Sequence, residues 1–389
     1  MFKIQTLNNI SVAGLERLPR DAYEVASEIA HPDAILVRSA KMHDMVIPET
    51  VKAIGRAGAG TNNVPVSAMT ARGVAVFNAP GANANAVKEL VIAGMLICAR
   101  NIAHAWRFAR ELSGDDAAIN EAVEAGKKQF AGFELPGRTL GVIGLGAIGV
   151  KVANAARALG MKVVGYDPSI TVGRAWQLES DVQAALSIDD LLSRSDFVTF
   201  HVPLTEQTKH MINAERIRTL PKGAVLLNFS RSGIIDDDAV VNALDQGHLY
   251  AYCCDFPSNL LKDHPRVVTL PHLGASTKEA EDNCAIMVAD QIRDYLESGN
   301  VTNSVNFPEI VLPRNGGLRL AIVNSNVPNM VGQISTDLAN AGLNILDMLN
   351  RSRGDIAVTL IDVDKRCPQD TVAQLESIDG VLSVRCLGG

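Results

Sequence analysis

The chain has 389 residues, with 43 acidic against 36 basic side chains and a formal net charge of −7 at pH 7. A chain of this length is too long for a single hydrophobic core, so we expect two or three domains. No cationic block runs along the sequence, which argues against a nucleic-acid or membrane surface as a partner. An anionic substrate would therefore be held by local arginines and not by the overall field of the protein.

The start of the chain predicts a strand and lacks the architecture of a signal peptide, so we expect a cytoplasmic protein. The longest apolar run, residues 90–99, is about half a bilayer span and predicts a buried helix. Six cysteines, at positions 98, 253, 254, 284, 367 and 386, include no C-x-x-C pair. This usage predicts reduced, buried thiols. We find no spacing typical of metal ligands and expect no metal.

Short apolar runs alternate with helical stretches over residues 1–95, which predicts a lobe built on a parallel α/β sheet. The alternation restarts near residue 139 and predicts a nucleotide-binding domain over residues 96–285. Long helical stretches at 83–110 and 277–297 flank this domain. If the second returns the chain to the first lobe, that lobe is discontinuous, comprising residues 1–95 and 286–304. A cleft between the two lobes would then be expected.

Residues 144–149 read Gly-Leu-Gly-Ala-Ile-Gly and follow an apolar, β-branched run. A helical pattern follows them, and this context favours a dinucleotide fingerprint over a glycine-rich turn without a ligand. Gly144 would allow the tight turn, Gly146 the approach of a pyrophosphate and Gly149 close helix–strand packing. Asp167 ends the next predicted strand, where the ribose 2′-hydroxyl of NAD would lie. A 2′-phosphate would be repelled there, so NAD is the expected cofactor.

Residues 301–317 hold prolines, asparagines and a Gly-Gly pair, a composition typical of a linker, which we place at residues 305–316. The remaining segment, 317–389, has the β-α-β-β-α-β order of a ferredoxin-like fold. It contains no candidate nucleophile and no phosphate loop. A regulatory or assembly module is therefore favoured over a second active site.

Three polar features follow predicted strands of the nucleotide domain, at the sheet edge where α/β proteins bind ligands. Arg231 could bind a carboxylate or carbonyl bidentately, or could be a surface arginine in a turn. Asp255 would lie near a nicotinamide. His272 could exchange a proton during oxidation of an alcohol, or could simply be packed or solvated. His201 is a further candidate, more consistent with shaping the cofactor pocket.

The order of these motifs resembles the NAD-dependent D-2-hydroxyacid dehydrogenase family, over essentially the whole chain. The motifs that carry the resemblance are Gly55-Arg-Ala-Gly-Ala-Gly, Phe77-Asn-Ala-Pro-Gly-Ala-Asn, the 144–149 fingerprint, His201-Val-Pro-Leu-Thr, Asn228-Phe-Ser-Arg-Ser-Gly and Pro271-His-Leu-Gly-Ala-Ser-Thr. It implies two Rossmann-like, doubly wound lobes. The last 70 or so residues are similar to an ACT domain, an amino-acid-sensing module.

The resemblance also implies roles for individual residues. Arg231 would bind the substrate carboxylate, and His272 would be the acid–base residue. The implied cofactor-binding residues are Gly144, Gly146, Ala147, Ile148, Gly149, Asp167, Val202, Phe229, Ser230, Arg231, Asp255, His272, Gly274 and Ala275. The implied substrate-binding residues are Arg38, Arg56 and Asn83. Two arginines there suit a phosphorylated substrate, because each adds charge-assisted hydrogen bonds.

The chain departs from the family at the glutamate that pairs with the catalytic histidine. The corresponding position is Asn259 or Leu260, and neither is acidic. Either Asp255 or Asp263 substitutes, or His272 works without an anionic partner. We expect activity to survive with a shifted pH optimum.

The C-terminal segment departs from its relatives in one turn, where Asn329 replaces a glycine. Asparagine tolerates positive φ better than most residues, so the turn can survive. Asn324, Asn326 and Asn344 match the family's effector positions, although Asn324 stands where histidine is common. L-serine is the expected effector on this resemblance.

The resemblance implies oxidation of D-3-phosphoglycerate to 3-phosphohydroxypyruvate with NAD, the first step of L-serine biosynthesis. Alternatives within the family are enzymes acting on glycerate, hydroxypyruvate or 2-hydroxyglutarate. A non-catalytic, NAD-sensing corepressor is an alternative of another class. A homodimer or homotetramer is expected because family members pair their nucleotide domains.

Overall fold

The computed structural model describes residues 1–314 and 318–388. The strands are β1 (Phe2–Leu7), β2 (Tyr23–Ala26), β3 (Ala34–Val37), β4 (Ala53–Arg56), β5 (Ala75–Phe77), β6 (Thr139–Ile143), β7 (Lys162–Tyr166), β8 (Gln183–Ala184), β9 (Phe197–Phe200), β10 (Ala224–Asn228), β11 (Leu249–Cys254), β12 (Val267–Thr269), β13 (Leu318–Ser325), β14 (Ile345–Arg353), β15 (Ile356–Val363) and β16 (Val381–Leu387). The α-helices are α1 (Val12–Leu15), α2 (Val66–Ala71), α3 (Ala84–Ala99), α4 (Ile102–Glu111), α5 (Asp116–Gly126), α6 (Ala147–Ala158), α7 (Val172–Ala175), α8 (Ile188–Ser193), α9 (Ala214–Thr219), α10 (Asp237–Asp245), α11 (Lys278–Ser298), α12 (Met330–Asn340) and α13 (Gln369–Ser377).

The chain divides into two compact units. The first unit comprises residues 1–83 and 278–389, and the second comprises residues 84–277. The boundaries expected at 95/96 and 285/286 instead fall where α3 and α11 begin, because each long helix stays whole within its unit. The expected boundary between linker and C-terminal module, at 316/317, lies outside the described residues.

A five-stranded parallel sheet forms the core of the first unit, in the order β2-β1-β3-β4-β5. All four residues of β3 are buried, as expected for a parallel strand covered on both faces. Helix α11 packs closely on β4. A Cβ built on Gly55 would lie 3.1 Å from the Ile292 side chain and 2.9 Å from that of Leu36.

A seven-stranded parallel sheet forms the core of the second unit, in the order β12-β11-β10-β9-β6-β7-β8. Its central strands β9 and β10 are fully buried, which explains their continuous apolar sequences. The direction of strand succession reverses between β6 and β9. Open α/β sheets bind ligands at the carboxyl ends of their strands at such a reversal.

The C-terminal segment forms a separate antiparallel sheet in the order β14-β15-β13-β16. Helices α12 and α13 contribute to the core on one face. The other face joins the core of the first unit through residues that include Val323, Val358 and Leu360. Asn329 has φ 66° and precedes α12, so the turn that lost its glycine survives in the left-handed conformation. The expected parallel α/β sheets followed by a separate C-terminal sheet are therefore confirmed.

The helical stretch expected over residues 83–110 consists of two helices, α3 and α4. Asn101 adopts a left-handed conformation, with φ 50°, between α3 and α4. Its side-chain amide donates a hydrogen bond to the Tyr250 hydroxyl at 2.7 Å. The break between the two helices thus coincides with a contact across 149 positions of the sequence.

All six cysteines carry free thiols, and five of them are buried as expected. Cys386 is exposed, because it lies in the edge strand β16. Within the described ranges, no group of histidine, cysteine and acidic residues could hold a metal ion. No helix in the same ranges is both long enough and apolar enough to cross a membrane.

Candidate active site

The glycine-rich turn between β6 and α6 leaves room for a ligand against its backbone. Gly144 has φ 90°, and a Cβ there would lie 2.6 Å from the carbonyl oxygen of His201. A Cβ on Gly149 would lie 1.9 Å from the Gly144 carbonyl oxygen. Gly146 is exposed and has no atom within 4 Å of its Cβ position. Two glycines are therefore required by packing, while the third faces open space where a pyrophosphate would approach.

Asp167 links the end of β7 to this turn. Its Oδ2 accepts a hydrogen bond from the main-chain N–H of Leu145 at 2.8 Å, and its Oδ1 accepts one from Ser169 at 2.9 Å. The half-buried carboxylate is thus held beside the glycine turn. This is the place where a ribose hydroxyl of a dinucleotide would be bound.

The segment that follows β9 lies beside the glycine turn, at the point where the direction of strand succession reverses. The Val202 side chain lies 2.9 Å from the Cβ position of Gly144. The ring of His201 contacts the Thr199 hydroxyl at 3.1 Å through Nε2, while its Nδ1 is buried without a partner among the described residues. Burial lowers the pKa of His201 to about 3. His201 is therefore neutral at physiological pH and is suited to shaping the site, not to carrying charge.

Arg231 is positioned by a turn at the end of β10. The buried side chain of Asn228 donates to the Arg231 carbonyl oxygen at 3.0 Å, and its Oδ1 accepts from the Ser230 N–H at 3.2 Å. The Ser230 hydroxyl donates to the Val202 carbonyl oxygen at 2.6 Å. The exposed guanidinium of Arg231 donates only to the Ser230 carbonyl oxygen among the described residues, so most of its donors face outward.

His272 lies on a loop that Asp255 holds in place. Asp255 is only 1% exposed. Its Oδ1 accepts from the Leu273 N–H at 2.8 Å, and its Oδ2 accepts from the Gly274 N–H at 2.9 Å. His272 itself has φ 55°, and its ring packs edge-on against Phe256 with centroids 5.2 Å apart. The loop thus presents an exposed imidazole at the carboxyl edge of the sheet.

The two aspartates that could replace the missing glutamate both have other partners in the structure. Both oxygens of Asp255 are used by main-chain N–H groups. The Asp263 side chain is 85% exposed and lies 3.8 Å from Lys262. Across residues 1–314 and 318–388, no acidic side chain pairs with His272. Neither Asp255 nor Asp263 pairs with His272 in this structure, and the group that assists the histidine stays a prediction.

The remaining residues expected at the cofactor have different degrees of access. Ala147 and Ile148 open α6 and are half-buried, as is Ala275. Phe229 is 6% exposed, and its ring packs against α3 at Gly94. Only the backbone of Phe229 is therefore placed to border a ligand. Asn228, which lies in the same motif as Arg231, positions the turn that carries Arg231, and the sequence alone does not predict this role.

The residues expected on the substrate side lie in the first unit. Arg38 directly follows β3 and Arg56 ends β4, with Val37 and Arg56 in register on neighbouring strands. The side-chain amide of Asn63 donates to the Arg38 and Ala40 carbonyl oxygens at 3.4 and 2.9 Å. Asn83 precedes α3, and its Oδ1 is buried without a hydrogen bond among the described residues.

The three asparagines expected to bind an effector do not come together within one chain. Asn324 pairs with Ala357 in the C-terminal sheet, and Asn326 donates to the Gly354 carbonyl oxygen at 3.0 Å. Asn344 instead lies beside Asp364, just beyond the other end of β15: its main-chain N–H donates to Asp364 Oδ1 at 3.0 Å, and its carbonyl oxygen accepts from the Asp364 N–H at 3.1 Å. At the usual strand rise the separation is roughly 20 Å. Within one chain, Asn344 is therefore apart from the other two residues, and their role as effector ligands stays a prediction.

The second unit fits a nicotinamide dinucleotide by its own geometry. The open space over Gly146, the start of α6 and the carboxylate of Asp167 match a pyrophosphate followed by a ribose. A family model described as the NAD-binding domain of D-isomer-specific 2-hydroxyacid dehydrogenases matches residues 92–274. NAD is thus the cofactor of the matched domain.

The proteins similar to this chain include two curated relatives and one solved structure. It is 37% identical over 352 residues to D-3-phosphoglycerate dehydrogenase of Methanocaldococcus jannaschii, covering 88% of this chain and 64% of that relative. It is 33% identical over 349 residues to the enzyme of the same name from Haemophilus influenzae, covering 86% of this chain and 81% of the relative. A crystal structure of NAD⁺-bound 3-phosphoglycerate dehydrogenase of Entamoeba histolytica aligns with TM-score 0.60 and 28% identity, covering 78% of this chain and 98% of that chain.

The parallel sheet and its glycine turn define a dinucleotide-binding α/β protein. More particularly, this chain belongs to the D-2-hydroxyacid dehydrogenase family. It spans less than two thirds of the length of the archaeal relative, 64%.

Proposed function

We propose that this chain oxidises D-3-phosphoglycerate to 3-phosphohydroxypyruvate with NAD, the first step of L-serine biosynthesis. The observation that carries the proposal is the edge of the second sheet. There the glycine turn, Arg231 and His272 follow β6, β10 and β12. The names of the two curated relatives support this substrate.

Each residue has a role that its chemistry allows. The outward donors of Arg231 bind the substrate carboxylate, because a planar guanidinium matches two carboxylate oxygens. An imidazole nitrogen of His272 accepts the proton of the substrate hydroxyl. Bound NAD supplies the hydride acceptor. Asp255 holds the His272 loop through main-chain N–H groups and takes no proton itself.

The arginines of the first unit support a phosphorylated substrate. Arg38 and Arg56 stand at the carboxyl ends of adjacent strands, and each can supply charge-assisted hydrogen bonds to a phosphate. A second candidate in the same family is an unphosphorylated 2-hydroxy acid such as D-glycerate. The ion pair between Arg38 and Glu281 favours it, because the guanidinium already has an anionic partner.

NADH formation tests the proposal directly. We expect absorbance at 340 nm to rise with D-3-phosphoglycerate and NAD, and His272→Gln to lower kcat by about a hundredfold to ten-thousandfold. No NADH from any 2-hydroxy acid would instead support the non-catalytic, NAD-sensing alternative. A fully active His272→Gln variant would show that another group moves the proton.

We also propose that the C-terminal segment is an ACT-like regulatory module with L-serine as its effector. Its element order and its single antiparallel sheet support this assignment. Because Asn324 and Asn344 lie at opposite ends of the sheet, the three amides could form one site only across two chains. Inhibition by millimolar L-serine is expected, and it should be lost in Asn344→Ala; unchanged activity at that concentration would contradict it.

A further inference from the structure

One of the two arginines proposed to bind the substrate phosphate forms an ion pair with an acidic side chain of the same unit. Glu281 lies in the first turn of α11, and its Oε1 accepts a hydrogen bond from Nη2 of Arg38 at 2.6 Å. The two residues are 243 positions apart in sequence. They meet because α11 packs across the sheet whose strand β3 ends just before Arg38.

This pair belongs to a small cluster of charged and polar groups in the first unit. Arg56 lies on the neighbouring strand, and its Nη1 would be 1.6 Å from a Cβ on Gly58, so its guanidinium lies over that glycine. Cys284 follows Glu281 by about one turn of α11 and is 4% exposed. Burial raises the pKa of Cys284, Arg56 and Arg38 oppose that rise, and Glu281 adds to it. The thiol thus lies in the electrostatic field of all three charges.

The charge balance of this cluster bears on substrate selection. Two arginines alone would offer two positive charges to a phosphate dianion. Glu281 removes one of them and adds repulsion toward any second anion that binds Arg38. A neutral hydroxyl at the same place suffers no such competition, since a carboxylate can accept its hydrogen bond.

We propose that Glu281 is a specificity-determining residue that competes with the substrate phosphate for Arg38. This inference rests on the proposed function, because it takes Arg38 as a phosphate-binding residue. The side chains of Arg38 and Glu281 are 37% and 40% exposed. Glu281 can therefore swing into water when a phosphate binds, so it weakens the preference for phosphorylated substrate without abolishing it.

The test uses Glu281→Gln in the full chain, since glutamine keeps the length and the acceptor oxygen but removes the charge. We expect KM for D-3-phosphoglycerate to fall about threefold to tenfold, with kcat and the KM for D-glycerate changed less than about twofold. The matched control is Glu279→Gln, which removes an exposed charge from the same turn of α11. It should leave both KM values unchanged.

Repeating the Glu281→Gln change in a protein that lacks the Arg38 guanidinium separates competition at Arg38 from a structural effect. In Arg38→Gln, the additional change Glu281→Gln should no longer lower KM for D-3-phosphoglycerate, because the shared guanidinium is gone. An equal effect of Glu281→Gln in both backgrounds, or on both substrates, would overturn the proposal. No change in KM for D-3-phosphoglycerate would overturn it as well.

Calorimetry keeps this test independent of turnover. With NADH present, titration of D-3-phosphoglycerate should show about threefold to tenfold tighter binding to Glu281→Gln than to the unaltered chain. If the unaltered chain oxidises neither substrate, the proposed function is wrong, yet tighter phosphate-dependent binding would still support the role of Glu281. Equal binding by the two proteins would refute that role whatever the turnover.

Discussion

Asp255 Oδ2 accepts a hydrogen bond from the main-chain N–H of Gly274 at 2.9 Å. With the bond from Leu273 to its Oδ1, the carboxylate uses both oxygens to hold the loop that carries His272. The aspartate of this motif is therefore a positioning residue in this chain.

Replacing Asp255 with Asn should displace the His272 loop. The amide keeps one acceptor oxygen, so one of the two N–H groups faces an NH₂ in a buried site. We expect a loss of about 1–3 kcal/mol in the free energy of unfolding and a fall in kcat of at least about tenfold. Urea unfolding and steady-state kinetics measure the two effects. Asp263→Asn, at an 85% exposed side chain, is the control and should change neither.

Asp167 should govern the choice between NAD and NADP. Asp167→Ala removes both the charge facing a 2′-phosphate and the acceptor for the Leu145 N–H. Asp167→Asn removes only the charge. We expect the ratio of kcat/KM for NAD over NADP to fall about tenfold or more in both variants, with the larger loss of NAD activity in Asp167→Ala. An unchanged ratio in both would remove Asp167 from cofactor selection.

His201 should make stability depend on pH. Burial lowers its pKa to about 3, whereas an exposed histidine titrates near about 6.5. Between these values the unfolded chain binds a proton that the folded chain does not. The stability is therefore full above about pH 6.5 and falls as the pH drops toward 3, by up to about 1.4 kcal/mol per pH unit from this group. His201→Gln should show a flatter profile in urea unfolding between pH 6.5 and 5; parallel profiles would contradict the assignment.

Arg319 and Asp362 form a buried ion pair in the C-terminal sheet. Arg319 Nε and Nη2 donate to the carboxylate at 2.6 and 2.8 Å, and Nη1 donates to the Leu312 carbonyl oxygen at 2.7 Å. Asp362→Asn leaves the guanidinium buried without its counter-charge. We expect a loss of about 3–5 kcal/mol in stability, seen as a lower unfolding midpoint. Asp290→Asn, which breaks an exposed pair in the same unit, should have little effect.

The sequence predicts the parts of this fold that depend on local pattern. Continuous apolar runs identify β9 and β10 because both faces of a parallel sheet are covered. The glycines at 144 and 149 are recognisable because a side chain at either would collide with backbone. Asn329 keeps its left-handed turn for a local reason too, since asparagine tolerates positive φ.

Contacts between distant residues are where sequence reasoning stops. Asn101, between α3 and α4, bonds to Tyr250, and no local pattern in the sequence indicates that neighbour. The two bonds of Asp255 cross a loop of about 20 residues, so its role as a loop anchor is invisible in the motif. Likewise, Arg38 meets Glu281 only through the packing of α11. Periodicity records which face of an element is buried but not which residue it meets.

The most direct test compares kcat/KM for D-3-phosphoglycerate and D-glycerate with NAD, using the full chain. We expect NADH from both and a preference of at least about tenfold for the phosphorylated substrate, because Arg38 and Arg56 add charge-assisted hydrogen bonds. Arg56→Gln should reduce that preference, and His272→Gln should lower kcat for both substrates by about a hundredfold to ten-thousandfold. Equal kcat/KM values, or a preference for D-glycerate, would contradict phosphoglycerate as the substrate.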